Sequence, residues 1–591
     1  MIGAEPAVAV YAERFSWQDY LVFGMMLLLS AGVGVYHGFF GHQQKSTTEY
    51  LLGGRNLRAF PVAMSLVASY ISGVTVLGTP ADIYKYGSQY WIIVVGIAFM
   101  GVTVATVFLP VFCTLQIKSS YEYLEMRFDR KVRTFASLLF VFDEIVFLPI
   151  VIYVPSLAFS QVTGVGIYQI GVVVCAVCIF YTVLGGLRAV VWTDTLQIIL
   201  MFASVLVVVS LGTVYIGGFS EVWGRCQEGQ RLEIFNFNPN PLERHTVWSL
   251  VIGGYFYWTS FNAVNQTMVQ RYLSLPTLKQ AQIAIGIFTV GIIGIVTICC
   301  YTGLLIYATY HKCDPLLSEQ ISDYDQLLPH FMMQTVGQLK GLPGLFMAGI
   351  FSAALSSLST ILNSLPSVIL EDFLFSCCSL KLSERWEQIV AKGLVLFFGI
   401  LAVACLFIVE PLEGILEVTT SLTAIAAGTS FGMFALGMLF PIANGTGALC
   451  GAIASSLLVG WLSLGAHFAS LNGFSRPILP VNTEGCDSLN VTLAYTTSFG
   501  NDDVFPLYKL SYLWLAPIGV TTVVSVGLLV SWLTGTEDVQ LANPDLFSPV
   551  IMRFVPKLGQ NRQAGTECVE INLNRHKERV SAADNIANTV S

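Results

Sequence analysis

Long apolar runs, separated by short polar segments, cover most of the chain from residue 17 to residue 535. A helix needs about 20 apolar residues to cross the hydrocarbon core of a bilayer. Thirteen runs meet that length, at about 17–39, 59–79, 89–116, 134–160, 166–184, 190–217, 247–270, 280–309, 343–371, 387–409, 415–440, 446–469 and 511–535. The pattern predicts an all-α polytopic membrane protein with about 13 transmembrane helices, which we number as spans 1 to 13.

The composition agrees with this fold class and excludes several functions. Charged residues make up 11% of the 591 residues and hydrophobic residues 54%, whereas soluble globular proteins carry about 25% charged residues. The net charge of −8 also lacks the basic excess with which proteins bind the phosphates of nucleic acids. We therefore expect the lipid bilayer as the surroundings of this protein, and neither a soluble enzyme, a disordered scaffold nor a nucleic-acid partner.

Lysine and arginine are concentrated in alternate loops, most densely between residues 118 and 133. Short cytoplasmic loops carry the excess of these residues in membrane proteins, so this segment is predicted to be cytoplasmic. Residues 1–16 then lie outside the cell, and residues 536–591 form a cytoplasmic tail. The polar composition of this tail and its terminal position predict that it is disordered.

Two features of the predicted outer loops fit this orientation. Asn490 begins a glycosylation sequon in the loop between spans 12 and 13, whereas the sequon at Asn444 falls on the cytoplasmic side and is expected to be unused. Cys226, Cys313 and Cys486 all fall outside, where disulfides form. One disulfide and one free thiol fit these three cysteines, and Cys313–Cys486 is the pair that we favour.

Spans 2 and 9 contain more Ser, Thr and Gly than a lipid-facing helix needs. Close helix packing explains such residues in either span alone, but two interrupted spans in corresponding halves indicate the binding site of a secondary transporter. Spans 2–6 (about 59–217) and spans 7–11 (about 247–440) form two such sets of five. Unwound carbonyls in span 2, facing Ser356 and Ser357 of span 9, would provide neutral oxygen ligands for a monovalent cation.

Longer stretches give a more specific indication: SYEYLEMRF (120–128), VWTDTLQ (191–197), FNPNPLERHT (237–246), VNQTMVQRYL (264–273) and SYLW (511–514). Through them the chain resembles the solute:sodium symporter family, most closely the branch of sodium-coupled monocarboxylate, multivitamin and iodide transporters. The resemblance covers residues 17–535. It implies the five-plus-five inverted repeat of the leucine-transporter class, with one leading and two trailing helices, in a multi-pass protein of the plasma membrane.

The resemblance also implies a main sodium site, formed by the carbonyls of Ala68, Ile71 and Ala353 and by the hydroxyls of Ser356 and Ser357.

Asp194 matches an acidic residue that bears on cation coupling in the relatives; the alternative is a carboxylate at the membrane interface near Arg188. Thr75 stands where monocarboxylate relatives carry Thr and where sugar and iodide relatives carry Gln. The implied substrate cavity is lined by Ser69, Ser72, Thr75, Phe147, Trp258, Asn265 and Ser430.

The chain departs from these relatives in spans 4 and 11. Phe147 lacks the hydroxyl of the iodide carrier, and residues 427–430 replace a Gly-Gly-Pro-like break. Asp143 and Glu144 are adjacent carboxylates inside an apolar run, where charge is costly and often functional. We interpret them as protonated, paired or part of a cation path, or else as groups at the inner mouth of the bundle.

The function implied by the resemblance is sodium-coupled symport by alternating access, with import of a small organic anion. A monocarboxylate similar to lactate, pyruvate or nicotinate is the favoured substrate. Sodium is then the co-transported ion, and we expect no organic cofactor and no transition metal. Because the span centres lack Lys and Arg, an anion would rely on sodium, helix N-termini and polar side chains.

Other functions remain open at this point. The same branch includes carriers of biotin and pantothenate and of iodide. A sodium-permeable sensor or channel on the same scaffold and a proton- or sugar-coupled carrier are further alternatives. An enzyme is not expected, because no motif brings together a nucleophile, a base and an orienting group.

Overall fold

The computed structural model describes residues 15–40, 46–409, 415–486, 504–539 and 543–554. These residues form helices joined by loops, with no β-strand among them. The expected all-α fold is therefore confirmed. Asn490, most of the predicted outer N-terminus and residues 555–591 lie outside the described residues.

The helices of the N-terminal half are α1 (Trp17–Val35), α2 (Thr47–Leu52), α3 (Ala59–Tyr70), α4 (Gly73–Tyr86), α5 (Ser88–Leu115), α6 (Glu122–Arg127), α7 (Arg130–Thr163), α8 (Ile167–Ile216) and α9 (Phe219–Glu228). Those of the C-terminal half are α10 (Gly254–Val264), α11 (Gln266–Tyr272), α12 (Leu278–Tyr310), α13 (Leu327–Thr335), α14 (Leu342–Val368), α15 (Glu384–Val409), α16 (Ile415–Leu439), α17 (Gly445–Leu471), α18 (Leu515–Thr534) and α19 (Pro549–Met552).

Nine helices in the described part of the chain are long and apolar enough to span a membrane, and a tenth span results if α3 and α4 are counted together. The difference from the predicted thirteen has three sources. Spans 5 and 6 are merged in α8, span 7 is divided between α10 and α11, and span 11 gives only a shorter apolar helix, Thr423–Leu439. The count of thirteen spans therefore stays a prediction.

The merged helix α8 changes direction at Gly186. This residue has a φ of 54° and a non-helical ψ of −154°, a backbone conformation that only glycine adopts without strain. A Cβ atom at this position would lie 2.6 Å from the carbonyl oxygen of Tyr50 in α2. The turn at Gly186 therefore separates two predicted spans and lets α2 approach the backbone of α8.

The centre of the bundle is α14, in which every residue from Phe346 to Val368 is buried. It packs against α1, α3, α7 and α8 of the N-terminal half and against α15 of the C-terminal half. Its small residues allow this close approach, since Ser, Gly and Ala let neighbouring backbones come near one another. A helix of the C-terminal half is thus enclosed mainly by helices of the N-terminal half.

On the predicted outer side, Cys313 and Cys486 form a disulfide, which is the pairing favoured from the sequence. The third cysteine of that group, Cys226, is a buried free thiol in α9. On the other side, the side chain of Asn444 caps α17 by accepting a hydrogen bond from the backbone N–H of Gly447.

The beginning of the predicted tail packs against the membrane domain, so the expectation of disorder is wrong for this part. Phe547 is 1% exposed, and Tyr123 of α6 donates a hydrogen bond of 3.0 Å to the carbonyl of Leu546. Arg127 of α6 forms a 2.6 Å ion pair with Glu537. The apolar residues of this short segment explain the difference, because they bury against α6. The prediction of disorder rested on the polar composition of the tail as a whole.

Candidate functional site

Span 2 is interrupted where α3 ends and α4 begins. Ile71 and Ser72 have extended backbone conformations, with ψ values of 104° and 167°, and the two helices are bent by 58°. The hydroxyl of Ser72 accepts a hydrogen bond from the backbone N–H of Thr75, as serine does at many helix N-termini. The last carbonyls of α3 lose their helical partners at such an end, so this break offers backbone oxygens as ligands.

Helix α14 places three hydroxyls beside this break. Ser357 donates a hydrogen bond of 3.1 Å to the carbonyl oxygen of Ser69, and the hydroxyls of Ser69 and Ser356 are 3.4 Å apart. Thr360, one helical turn further on, donates a hydrogen bond of 2.7 Å to the Ser69 hydroxyl. The structure thus brings the predicted serine pair to the predicted break.

The remaining positions of the implied sodium site are also buried near this junction. Ala68 and Ile71 are each 1% exposed at the end of α3, and Ala353 is 2% exposed in α14. Ala353 precedes Ser356 and Ser357 by three and four positions, so the three residues lie on one face of the helix. All five positions are therefore buried in the two helices that meet where Ser357 bonds to Ser69.

Asp194 lies in the interior of the bundle rather than at a membrane interface. Its Oδ2 atom accepts hydrogen bonds from Ser65 at 2.5 Å and from Ser69 at 3.3 Å. Its Oδ1 atom is buried without a hydrogen-bond partner among the described residues. Arg188, the neighbour in the alternative interpretation, instead donates to the carbonyl of Gly53. A carboxylate with one unsatisfied oxygen, next to neutral hydroxyls, is suited to a cation.

Arg271 is the residue of this site that the sequence does not reveal, because it directly follows predicted span 7 (about 247–270) and so falls in a predicted cytoplasmic loop. Its side chain is 2% exposed and lies 3.2 Å from Asp194 Oδ2. It also donates a 2.7 Å hydrogen bond to the hydroxyl of Ser65 and a 2.5 Å hydrogen bond to that of Thr360. The sequence feature that could have identified Arg271 is its position within the VNQTMVQRYL stretch. A count of Lys and Arg in each loop does not distinguish one arginine from another.

Asp194 and Arg271 form a buried ion pair within the site. Desolvation of two charges is costly. The Ser65 hydroxyl, which donates a hydrogen bond to Asp194, and the Thr360 hydroxyl, which accepts one from Arg271, help to offset that cost. The pair contains no net charge, yet only one of the two carboxylate oxygens faces the guanidinium group. An additional monovalent cation near Oδ1 would therefore meet an uncompensated acceptor.

Span 7 is interrupted as well. Asn265 has an extended ψ of 133° between α10 and α11, and its Oδ1 atom accepts hydrogen bonds from the N–H and the hydroxyl of Thr267. Trp258 of α10 stacks on Tyr70 at the end of α3, with ring centroids 4.3 Å apart. The two broken spans, one from each repeat, thus meet through an aromatic pair.

The other predicted cavity residues are less closely connected. Ser69 and Thr75 flank the break in span 2, while Phe147 is half-buried in α7 and Ser430 is buried in α16. No hydrogen bond among the described residues links Ser430 to either break. Contacts among the described residues therefore connect the predicted residues of span 2 with those of span 7.

Asp143 and Glu144 are each 7% exposed in α7. Thr423 of α16 donates a 2.7 Å hydrogen bond to Asp143 Oδ1, and the Glu144 carboxyl interacts with the side chain of Asn265. The pair thus connects span 4 with span 11 and with the break in span 7.

Comparison with known proteins gives a consistent family assignment. The sequence profile of the Sodium:solute symporter family matches residues 50–455. Sodium-coupled monocarboxylate transporter 1 of Homo sapiens is 40% identical over 557 residues, covering 90% of this chain and 91% of that protein. The Sodium-dependent multivitamin transporter of Oryctolagus cuniculus is 34% identical over 576 residues, covering 95% and 90%.

The fold has a counterpart among solved structures. The substrate-bound, outward-open structure of a Na+-coupled sialic acid symporter aligns with a TM-score of 0.72 at 24% identity, covering 88% of this chain and 99% of that one. This likeness confirms the leucine-transporter-like architecture expected from the sequence. With the profile match and the near full-length similarity to its relatives, the chain belongs to the sodium:solute symporter family.

Proposed function

We propose that this protein is a sodium-coupled symporter that imports a small monocarboxylate by alternating access. The observation that carries the proposal is the contact between the break in span 2 and the hydroxyls of α14, beside the buried carboxylate of Asp194. Near full-length similarity to a sodium-coupled monocarboxylate transporter supports the choice of substrate.

Sodium binds, in this proposal, to the carbonyls of Ala68, Ile71 and Ala353 and to the hydroxyls of Ser356 and Ser357. Asp194 contributes to coupling through its second carboxylate oxygen. A cation at this junction would hold α3 against α14 and favour one position of the bundle. It would thereby raise the affinity for the second ligand, and the reverse effect follows by linkage. One sodium ion moving through 100 mV contributes about 2.3 kcal/mol.

The substrate occupies the space between the two broken spans. Ser69, Ser72, Thr75, Trp258 and Asn265 are its proposed contacts, and Phe147 and Ser430 limit the cavity on the sides of spans 4 and 11. The N-terminal end of α4, at Gly73, is suited to a carboxylate because a helix N-terminus carries partial positive charge. This arrangement fits the absence of Lys and Arg at the span centres of the sequence.

We further propose that the protein lies in the plasma membrane with its N-terminus outside and its C-terminus in the cytoplasm. The basic segment 118–133 supports this orientation. So does the Cys313–Cys486 disulfide on the opposite side, since disulfides persist in oxidising surroundings.

Uptake of radiolabelled lactate, nicotinate, biotin and iodide, with sodium present or replaced, tests the proposal. We expect sodium-dependent accumulation of lactate or nicotinate. Accumulation of biotin instead would favour the vitamin carrier to which the multivitamin transporter points. A sodium current that no solute changes, without accumulation, would identify a sensor or channel and contradict the proposal.

A further inference from the structure

Two arginines and one carboxylate meet at the predicted outer end of the broken span 2. Arg244 lies in the loop before span 7, and its Nη2 atom is 2.8 Å from Oδ1 of Asp82 in α4. His245 Nε2 lies 3.6 Å from the other oxygen of Asp82. Arg476 belongs to the same region, because it donates hydrogen bonds to the carbonyls of Leu242, Lys509 and Leu510, next to Arg244 and Tyr512. This outer cluster, defined as Asp82, Arg244, His245 and Arg476, contains more cationic than anionic groups.

The backbone that carries Arg244 is held in place by its surroundings. Arg476 donates a 2.9 Å hydrogen bond to the carbonyl of Leu242, and Ser511 donates a 2.7 Å hydrogen bond to that of Arg244. The guanidinium group lies over the rings of Tyr86 and Tyr512, at 4.5 and 5.3 Å from their centroids. The group is therefore pre-oriented, which reduces the entropy lost when it binds a ligand.

Most hydrogen-bond donors of this guanidinium group have no acceptor among the described residues. An arginine offers five N–H donors, and the only acceptor that Arg244 meets among the described residues is Asp82. Its Nε atom is buried without a partner, as is Nδ1 of His245, a residue that is 3% exposed. The side chain of Arg244 as a whole is still 30% exposed. Such a partly accessible fork matches the two oxygens of a carboxylate.

His245 contributes hydrogen bonding rather than charge. It lies in a loop outside the membrane-spanning helices, and burial lowers its pKa to about 4. At neutral pH the imidazole is therefore uncharged. The excess positive charge of the outer cluster belongs to the arginines.

Aromatic residues connect the outer cluster with the residues of the proposed substrate cavity. The side chain of Tyr90 interacts electrostatically with those of Asp82, Tyr512 and Tyr257. Tyr70 interacts in the same way with Tyr90 and Tyr257 and stacks on Trp258. These tyrosines therefore link the outer cluster to the contact between the two broken spans.

We propose that Arg244, with His245 beside it, is an outer binding site for the carboxylate of the transported anion, and that Asp82 occupies this site when no substrate is present. The proposal rests on the proposed function and adds the residue that first selects the anion. Asp82 belongs to α4, one half of the broken span, so exchange of its carboxylate for that of the substrate releases α4 from the loop before span 7.

Transport kinetics of four variants test this site: Arg244→Gln, Arg244→Lys, Asp82→Asn and the control Arg225→Gln. Arg225 is another predicted outer arginine, paired with Glu221 in α9. Arg244→Gln should raise the KM for the monocarboxylate about tenfold, because a charge-assisted hydrogen bond to the anion is lost. Arg244→Lys should have a smaller effect, since it keeps the charge without the planar fork. In the Arg244 variants, the half-saturating sodium concentration measured at saturating substrate should match that of wild type. The control Arg225→Gln should match wild type in its transport kinetics.

Asp82→Asn distinguishes a binding site from a structural ion pair. Loss of the internal competitor should lower the KM for the monocarboxylate, a gain that misfolding does not produce. In competition assays, Arg244→Gln should also reduce the preference for nicotinate over uncharged nicotinamide. Surface biotinylation normalises each rate to the protein present.

The outcomes separate this proposal from the proposed function. A wild-type protein without sodium-dependent anion uptake overturns both. A transporting wild type whose Arg244 and Asp82 variants change only the maximal rate, with unchanged KM and unchanged nicotinate preference, overturns the Arg244 site alone. In that case the ion pair is a structural contact.

Discussion

Uncharged oxygens make up most of the proposed cation site, and the two charged residues within it are paired with each other. Ser69, Ser356 and Thr360 surround the break in span 2, while Asp194 is bonded on one side only. Neutral ligands hold a monovalent ion without the desolvation cost of additional charges. At the scale of single residues, this explains how a chain with 11% charged residues can form a cation site.

The serine pair of α14 provides a direct test of the sodium site. Replacing both Ser356 and Ser357 by Ala removes two hydroxyl ligands, so we expect the half-saturating sodium concentration to rise severalfold. Sodium titration of uptake at normal surface expression measures this. Ser364→Ala is the matched control, because the Ser364 hydroxyl is buried in the same helix and donates to the carbonyl of Ile361. Equal sodium dependence of the double variant and the control would refute the assignment.

Two histidines outside the membrane-spanning helices make stability depend on pH. Burial lowers the pKa of His245 and of His330 to about 4, whereas an unfolded histidine titrates near pH 6.5. Below about pH 6.5 the unfolded state therefore binds protons that the folded state excludes, and stability falls by up to about 1.4 kcal/mol per pH unit for each histidine. Above that pH the contribution is constant.

We expect the apparent melting temperature in detergent to decrease between pH 7 and pH 5, and His330→Gln to make this decrease smaller. Comparing the variant with wild type at each pH removes the contribution of carboxylates, which the two proteins share. A pH dependence identical in both would show that folding does not lower the pKa of His330.

At the scale of elements, the points where helices are interrupted determine how the helices are arranged. The turn at Gly186 changes the direction of a 50-residue helix. The breaks at Ile71 and Asn265 expose backbone groups in one span of each half of the chain. Such irregular backbone is tolerated within a membrane only where protein or a cavity satisfies it. The three positions therefore mark where α2, α14 and the neighbouring spans must fit closely.

Gly186→Ala should strongly reduce the amount of folded protein at the cell surface. The substitution combines a positive φ with a Cβ atom 2.6 Å from the carbonyl oxygen of Tyr50, and both effects are unfavourable. Gly286→Ala is the control, because a Cβ atom at this position of α12 meets nothing within 4 Å. Surface biotinylation and size-exclusion chromatography measure the difference. Similar yields of the two variants would contradict the proposed role of Gly186.

At the scale of the whole molecule, the segment after the last span belongs to the folded body. Glu537 pairs with Arg127. The guanidinium group of the same arginine lies over Phe547, 4.9 Å from the centroid of the phenylalanine ring. Arg127 also donates to the carbonyls of Gly437, Phe440, Pro441 and Ala443. The segment thus connects α6 with the region between α16 and α17.

Phe547→Ala should lower stability by about 3 kcal/mol, the usual cost of truncating a buried phenylalanine. Phe554→Ala should have little effect, since Phe554 is 76% exposed. Apparent melting temperatures of the two variants in the same detergent provide the measurement. If both variants melt with wild type, the docked segment contributes nothing to the stability of the membrane domain.

The sequence by itself determined the membrane class, the all-helical fold, the composition of the broken spans and the family resemblance. These properties follow from local chemistry, because the apolar length of a span and the Ser, Thr and Gly content of a break are read along the chain. The favoured Cys313–Cys486 pairing likewise depended on placing three cysteines on one side of the membrane. The sequence did not reveal that predicted spans 5 and 6 lie in one continuous helix, α8.

Only the tertiary structure decided which side chains share the site. Asp194 meets Ser65 from 129 positions away and Arg271 from 77 positions away, and the topology rule had assigned Arg271 to a loop. The docking of Phe547 and the pairing of Arg244 with Asp82 were equally hidden. The physical reason is that apolar length fixes where a helix lies in the bilayer. The partners of a buried charge depend on how separate helices pack and exclude water.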